Sequence, residues 1–146
     1  MSLVVTNFVT IAIEKMNYNI PSHLSELPIY QKAMDILVLS RSISTYLNQD
    51  LSYLRPDGSE DTDIYFSGDI VQQSESLAPE IVKAEAERHS EKKHKHFASL
   101  ERLIHRLNLN CNRLQHCNSN GRDYLPILQK ELLKFKRLQR SWMMTL

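Results

Sequence analysis

Basic side chains recur at helical spacing towards the C-terminal end of the chain. An α-helix turns by about 100° per residue, so residues three, four or seven apart lie near one face. One set, which spans about 40° of such a helix, consists of Lys95, Arg102, Arg106 and Arg113. A second set, in the next helical stretch, consists of Lys130, Lys134 and Arg137. We call these sets the first and the second basic stripe.

Such stripes are suited to the phosphate backbone of a nucleic acid. Each phosphate that a Lys or Arg neutralises releases condensed counterions, and the Arg guanidinium adds bidentate hydrogen bonds. For a single residue an ordinary solvated helix face is the simpler explanation, but such faces mix both signs of charge. Aromatic residues that could stack on bases are nearly absent from the stripes. We therefore predict binding of a nucleic acid or another polyanion, through shape and backbone contacts rather than sequence.

The charges of the chain are segregated, although its formal net charge is only +1. Residues 52–91 contain ten acids and three Lys or Arg, which gives −7. Residues 92–146 contain twelve Lys or Arg and three acids, which gives +9. This segregation indicates an acidic partner for the basic part, or pairing between the two parts within an assembly.

Metal and thiol chemistry have less support in the sequence. The candidate clusters are His89, His94 and His96, and Cys111, His116 and Cys117. Neither has the paired ligand spacing of a zinc site, and two cysteines are too few for a disulfide scaffold. We predict reduced thiols, no metal site and no cofactor.

Arg88 and His94 provide an enzymatic alternative. Their spacing matches the Arg/His pair of helical ribonucleases of the HEPN type, in which a dimer pairs two motifs across an RNA phosphate. The polar residue that usually follows the arginine is here His89. Paired carboxylates, an activated nucleophile and a glycine-rich phosphate loop are not found elsewhere. A protein without catalysis of its own is the favoured expectation.

Trp142 and Met143 lie at the end of the last predicted helix, where a single subunit has little left to bury them. Both residue types are favoured at protein interfaces. They are candidates for a subunit or partner interface, with core packing as the alternative.

Helices are the elements that must position these residues. A chain of 146 residues with 42% apolar residues can form one domain, and three glycines and five prolines are few for a turn-rich β-fold. Apolar residues recur every three or four positions in two seams, one being Phe97, Leu100, Leu103, Ile104, Leu107, Cys111 and Leu114, the other Leu125, Leu128, Leu132, Phe135 and Trp142. We predict an all-α protein with an antiparallel up-down four-helix bundle over residues 27–146.

The helix boundaries follow from proline, glycine and capping residues. The first predicted helix starts at Leu27 after a Ser25 cap, and residues 52–63 form an acidic loop. The second reaches about Arg88 with a kink or break at Pro79, because proline removes a backbone hydrogen bond. The third ends at Cys117, and the fourth follows an Asp123 cap.

Residues 1–26 are predicted to be an N-terminal extension of the domain, which need not be ordered. Their apolar stretch 3–13 has no basic residue before it, the wrong order for a secretory signal. No run approaches the eighteen or so apolar residues of a membrane span. We expect a cytoplasmic protein with no membrane partner.

Two segments resemble a known family. They are Leu27-Pro28-Ile29-Tyr30-Gln31-Lys32-Ala33-Met34-Asp35-Ile36-Leu37 and Asn118-Ser119-Asn120-Gly121-Arg122-Asp123-Tyr124-Leu125-Pro126. They are similar to segments of the four-helix-bundle accessory variability proteins of diversity-generating retroelements. The same superfamily includes proteins encoded in intervening sequences of bacterial 23S ribosomal RNA genes. The likeness covers about residues 27–146.

This resemblance implies a homopentamer of four-helix subunits without catalysis of its own. Such a protein binds the reverse transcriptase and the structured template RNA of the element, and so supports error-prone copying. The two basic stripes are the residues that we assign to RNA binding in that role. A 23S intervening-sequence protein of unknown role is the alternative within the same fold.

Overall fold

The computed structural model describes residues 22–146, and this range contains helices and no strand. The prediction of an all-α fold is confirmed for these residues. The helices are α1 (Ser22–Ser25), α2 (Pro28–Leu51), α3 (Asp63–Glu75), α4 (Leu77–Ala86), α5 (Ser90–Leu114) and α6 (Leu125–Met144), with a 3₁₀ helix (Asn120–Tyr124) before α6. Residues 1–21 of the predicted extension lie outside the described residues. In the remainder, Leu24 is buried.

Helix α2 is buried on more than one side. It packs against α3, α4 and α6. Pro28 occupies its first turn, where the missing backbone N–H is not needed. The residue at the N-cap position is Leu27, and its side chain makes no capping hydrogen bond. The predicted Ser25 cap was therefore wrong by two residues.

The second predicted helix is divided into α3 and α4, which meet at Ser76. Pro79 is the third residue of α4, so its missing N–H falls in a first turn, where a helix has no internal acceptor for it. The predicted kink or break at Pro79 is confirmed as a break three residues upstream. Together α3 and α4 occupy one position of the bundle, since both pack against α2 and α5.

Buried serines allow α2 and α3 to approach closely. The hydroxyl oxygens of Ser40 and Ser74 are 2.7 Å apart, and those of Ser44 and Ser67 are 2.8 Å apart. Ser74 Oγ also donates to the Ile70 carbonyl at 2.6 Å, so Ser40 is the donor in its pair. The hydroxyls thereby satisfy one another in a region without access to water.

Helix α2 runs antiparallel to α3, and α5 runs antiparallel to α6. The serine pairs join later residues of α2 to earlier residues of α3, and the same inverse order holds between α5 and α6. There Phe97, near the start of α5, packs edge-on against Trp142 near the end of α6, with ring centroids 5.2 Å apart. The helices thus form an antiparallel bundle in which the two predicted seams of α5 and α6 lie in the core.

The predicted Asp123 cap of α6 was wrong, because the N-cap residue is Tyr124 and its side chain makes no capping hydrogen bond. The connection between α5 and α6 is held instead by hydrogen bonds of Ser119 and by the packing of Gly121. Ser119 Oγ accepts a hydrogen bond from Gly121 N at 3.0 Å and donates to Asp50 Oδ2 at 2.6 Å. Gly121 is buried against α2: a Cβ at this position would lie 2.8 Å from Tyr46 Cδ1 and 3.0 Å from Leu47 Cδ2. This connection requires a residue without a side chain.

We expect Gly121→Ala to lower the free energy of unfolding by about 1–3 kcal/mol, because the added methyl group forces packed atoms apart. The matched control is Gly68→Ala. Gly68 is exposed within α3 and a Cβ there meets nothing within 4 Å, so higher helix propensity should stabilise that variant by up to about 1 kcal/mol. Urea unfolding measures both. Equal effects of the two changes would contradict the packing argument.

Candidate nucleic-acid interface

The first basic stripe lies along the solvent-facing side of α5. Its four residues are exposed, while the seam that includes Leu100, Ile104 and Leu107 is buried on the opposite side. Burial of that seam therefore directs the stripe outward. Within residues 22–146, Lys95, Arg102 and Arg106 form no ion pair, so their charges are available to a partner.

Arg113, the last residue of the first stripe, is held in place by its neighbours. Its guanidinium carbon lies 4.9 Å from the centre of the Phe66 ring, and Nη1 is 3.5 Å from Asn110 Oδ1. Asn110 Nδ2 in turn donates to Gln73 Oε1 at 3.1 Å. Cation–π contact and hydrogen bonding orient the guanidinium before any ligand arrives.

An acid lies beside this end of the stripe. Arg106 and Arg113 line a depression of about 260 Å³ between α3 and α5, together with Asp69. The spacing within α5 does not reveal this neighbour, because Asp69 comes from a different helix. The carboxylate of Asp69 therefore offsets part of the positive charge at this end of the stripe, while Lys95 and Arg102 do not line the depression.

The second basic stripe lies on the exposed face of α6, and Lys130 and Arg137 form no ion pair within residues 22–146. Lys134 Nζ is 3.2 Å from Glu131 Oε1. Glu131 also pairs with the half-buried Lys32 of α2, whose Nζ lies 2.7 Å from Glu131 Oε2. The hydrogen bond from Lys32 lowers the pKa of Glu131, and the same bond raises the pKa of Lys32.

The two stripes are not brought together by any contact among the described residues. Between them, Gln129 Nε2 of α6 donates to Asn112 Oδ1 of α5 at 2.8 Å. Further along, the two helices enclose a groove whose rim carries His105, Lys136 and Arg140. These three residues were missed at the sequence level, because the spacing within one helix does not reveal which residues border its neighbour.

Trp142 is explained by packing inside the subunit. It is 6% exposed, its ring contacts Phe97, and Nε1 donates to Glu85 Oε1 of α4 at 2.6 Å. Met143 is half-buried and packs against the core. The next residue, Met144, is 88% exposed. The exposed apolar surface at this end of α6 therefore centres on Met144, while the predicted interface role of Trp142 and Met143 stays a prediction.

The histidine and arginine candidates lie near the start of α5. His96 Nδ1 is 2.8 Å from Glu80 Oε2, which joins α5 to α4. Arg88 and His94 are exposed, and no described contact joins them; the His94 ring packs edge-on against Phe97. Among residues 22–146, no three His, Cys, Asp or Glu side chains are grouped so that they could hold a metal ion.

The cysteines are free and buried. Burial raises the pKa of Cys111 to about 12, and burial also raises the pKa of Cys117. A thiol is nucleophilic and binds metal as the thiolate, so both residues are unreactive at neutral pH. They act as small apolar groups in the core.

Comparison of the chain with protein-family models, with curated proteins and with solved structures gave no match. In the described part of the chain, no helix combines the length and the apolar character needed to cross a membrane.

We expect the Lys32–Glu131 pair to make stability depend on pH. The pKa of Glu131 lies below its ordinary value of 4.5, so its contribution is present above that value and is lost as the pH falls through the lowered pKa. Between about pH 5 and pH 3 the wild type should lose more free energy of unfolding than Glu131→Gln, as measured by urea unfolding.

The control is Glu101→Gln, which removes an exposed carboxylate with no ion pair in the described range. Parallel pH profiles of wild type and Glu131→Gln would contradict this expectation.

Proposed function

We propose that this protein is a non-catalytic, RNA-binding subunit that accompanies the reverse transcriptase of a diversity-generating retroelement. The main observation that supports this proposal is the row of exposed cations on α5. Of these, Lys95, Arg102 and Arg106 have no ion-pair partner within residues 22–146. A cation that is already paired or desolvated would add little to the binding of a phosphate. An unpaired, exposed cation stabilises the complex through Coulomb attraction and through the release of counterions.

Recognition in this proposal depends on the backbone and shape of the RNA. The basic stripes consist of Lys and Arg, with no aromatic residue among them. Large aromatic side chains such as Phe97 and Trp142 are buried. Base stacking is therefore not available from the stripes themselves. A helical surface of this kind fits structured RNA, whose phosphates follow a regular path, and it also tolerates DNA.

A homopentamer is part of the proposal. One stripe offers few phosphate contacts, and weak contacts become useful when symmetry repeats them on one RNA molecule. The pentamer, the reverse-transcriptase partner and the retroelement are supported by the resemblance of residues 27–37 and 118–126. The bundle fold of the described residues is compatible with that resemblance.

The binding proposal is tested with Arg102→Glu/Arg106→Glu in filter binding of a structured RNA at several salt concentrations. Each lost phosphate contact should reduce the slope of log affinity against log salt by about 0.7–0.9, so we expect a reduction approaching 2 together with weaker binding. Lys83→Glu/Arg88→Glu is the control. It makes the same change in charge at exposed positions in and just after α4.

An unchanged affinity and salt slope in Arg102→Glu/Arg106→Glu would contradict the proposal. Equal losses in both double variants would show a response to net charge alone. Native mass measurement of the same samples tests the assembly: we expect five 17.0-kDa subunits, and a single subunit would remove the avidity argument.

A further inference from the structure

A groove of about 660 Å³ runs between α5 and α6 near the C-terminal end of α6. Its size lies within the usual range for small-molecule sites, about 300–1,000 Å³. Apolar contact is offered by Ile104, Met143 and Met144, and the remaining lining residues are Glu101, His105, Lys136, Gln139 and Arg140. None of the residues of the two basic stripes lines it.

Gln139 is the unusual residue of this groove. It is 4% exposed, and its Nε2 has no hydrogen-bond partner in the described part of the chain. The other buried positions of α6, such as Phe135 and Trp142, are apolar or, for the indole N–H, hydrogen-bonded. A buried amide donor without an acceptor is costly and uncommon in native proteins. A ligand that brings an acceptor into the groove would remove that cost.

The charge at the groove favours an anion. Lys136 and Arg140 are exposed at its edge, and within residues 22–146 neither forms an ion pair. The single acid in the lining is Glu101, and His105 lies four residues further along α5. A bound carboxylate would thus meet two cations and one unsatisfied N–H donor.

We propose that the groove binds a small amphiphilic carboxylate. One carboxylate oxygen accepts the hydrogen bond from Gln139 Nε2, while Lys136 and Arg140 balance the negative charge. The hydrocarbon part lies against Ile104, Met143 and Met144, whose flexible methionine side chains adapt to its shape. A phosphate backbone fits less well, because it has no apolar part to cover this floor. This site is independent of the RNA-binding proposal.

The test is isothermal titration of the full-length protein with octanoate, with acetate and octylammonium as controls. We expect saturable binding of octanoate and no binding of either control. Acetate lacks the hydrocarbon part, and octylammonium carries the wrong charge. Methyl NMR signals of Met143 and Met144 should shift during the same titration. Weak, non-saturable uptake of octanoate would overturn the proposal, and so would equal binding of octylammonium.

Two variants locate the site. Gln139→Leu keeps a similar volume but removes the donor, and Arg140→Glu reverses one charge at the rim; each should weaken octanoate binding about tenfold or more. Arg137→Glu is the matched control on the outward face of α6 and should leave octanoate affinity unchanged. Arg140→Glu keeps the test valid if Gln139→Leu fails to fold.

Octanoate binding that survives both groove variants would overturn the proposal. A second overturning result is an Arg140→Glu variant that loses RNA affinity but retains octanoate affinity, because the groove would then belong to the nucleic-acid surface. Loss of octanoate binding with normal RNA binding supports the site, whatever the outcome for the basic stripes.

Discussion

The apolar seam of α5 determines where the other parts of the molecule can lie. This helix packs its seam against α3, α4 and α6, and Leu100, Leu107 and Leu114 along it have no exposed surface. Once the seam is buried, the four cations of the first stripe can only face solvent. The same burial presses Phe97 against Trp142 and places His96 beside Glu80. One amphipathic helix therefore organises both the core and the candidate interface.

The charge segregation along the chain has a partly intramolecular explanation on its acidic side. Several acids of residues 52–91 are satisfied within the subunit by groups outside the basic stripes. The pairs are Asp61 with Arg55, Glu75 with Arg41, Glu80 with His96, and Glu85 with the Trp142 indole. Since these acids are engaged elsewhere, most cations of the stripes stay unpaired. The exception is Lys134, which pairs with Glu131 of its own helix, and Asp69 lies near Arg106 and Arg113 without an ion pair to either.

The strongly periodic parts of the fold could be predicted from the sequence. The seams of α5 and α6 follow the helical repeat, and Pro79 indicates where the second helix is interrupted. The caps were harder, because the N-cap residue of α6 is Tyr124 rather than Asp123. Ser119 caps the 3₁₀ helix before it and also contacts distant Asp50, which no local pattern reveals. Both segments that carry the family resemblance are rich in packing residues, such as Ile36 and Gly121. They therefore carry information mainly about the fold.

The candidate sites were only partly predictable for a related reason. Exposure of the stripe residues follows from helical geometry within one helix. The groove requires knowledge of how α5 and α6 sit side by side, and the orphaned Gln139 amide is apparent only when its neighbours are known. In the sequence, Gln139 is simply one more polar residue in a basic stretch.

Amine labelling of the protein with and without bound RNA tests the central claim most directly. Lys134 and Lys83 are matched probes, since their side chains are 57% and 59% exposed and each pairs with a glutamate three residues away. We expect RNA to protect Lys134 and Lys95 from the reagent and to leave Lys83 as reactive as before. Equal labelling of all three lysines in the complex, or protection centred on Lys83, would contradict RNA binding through the basic stripes.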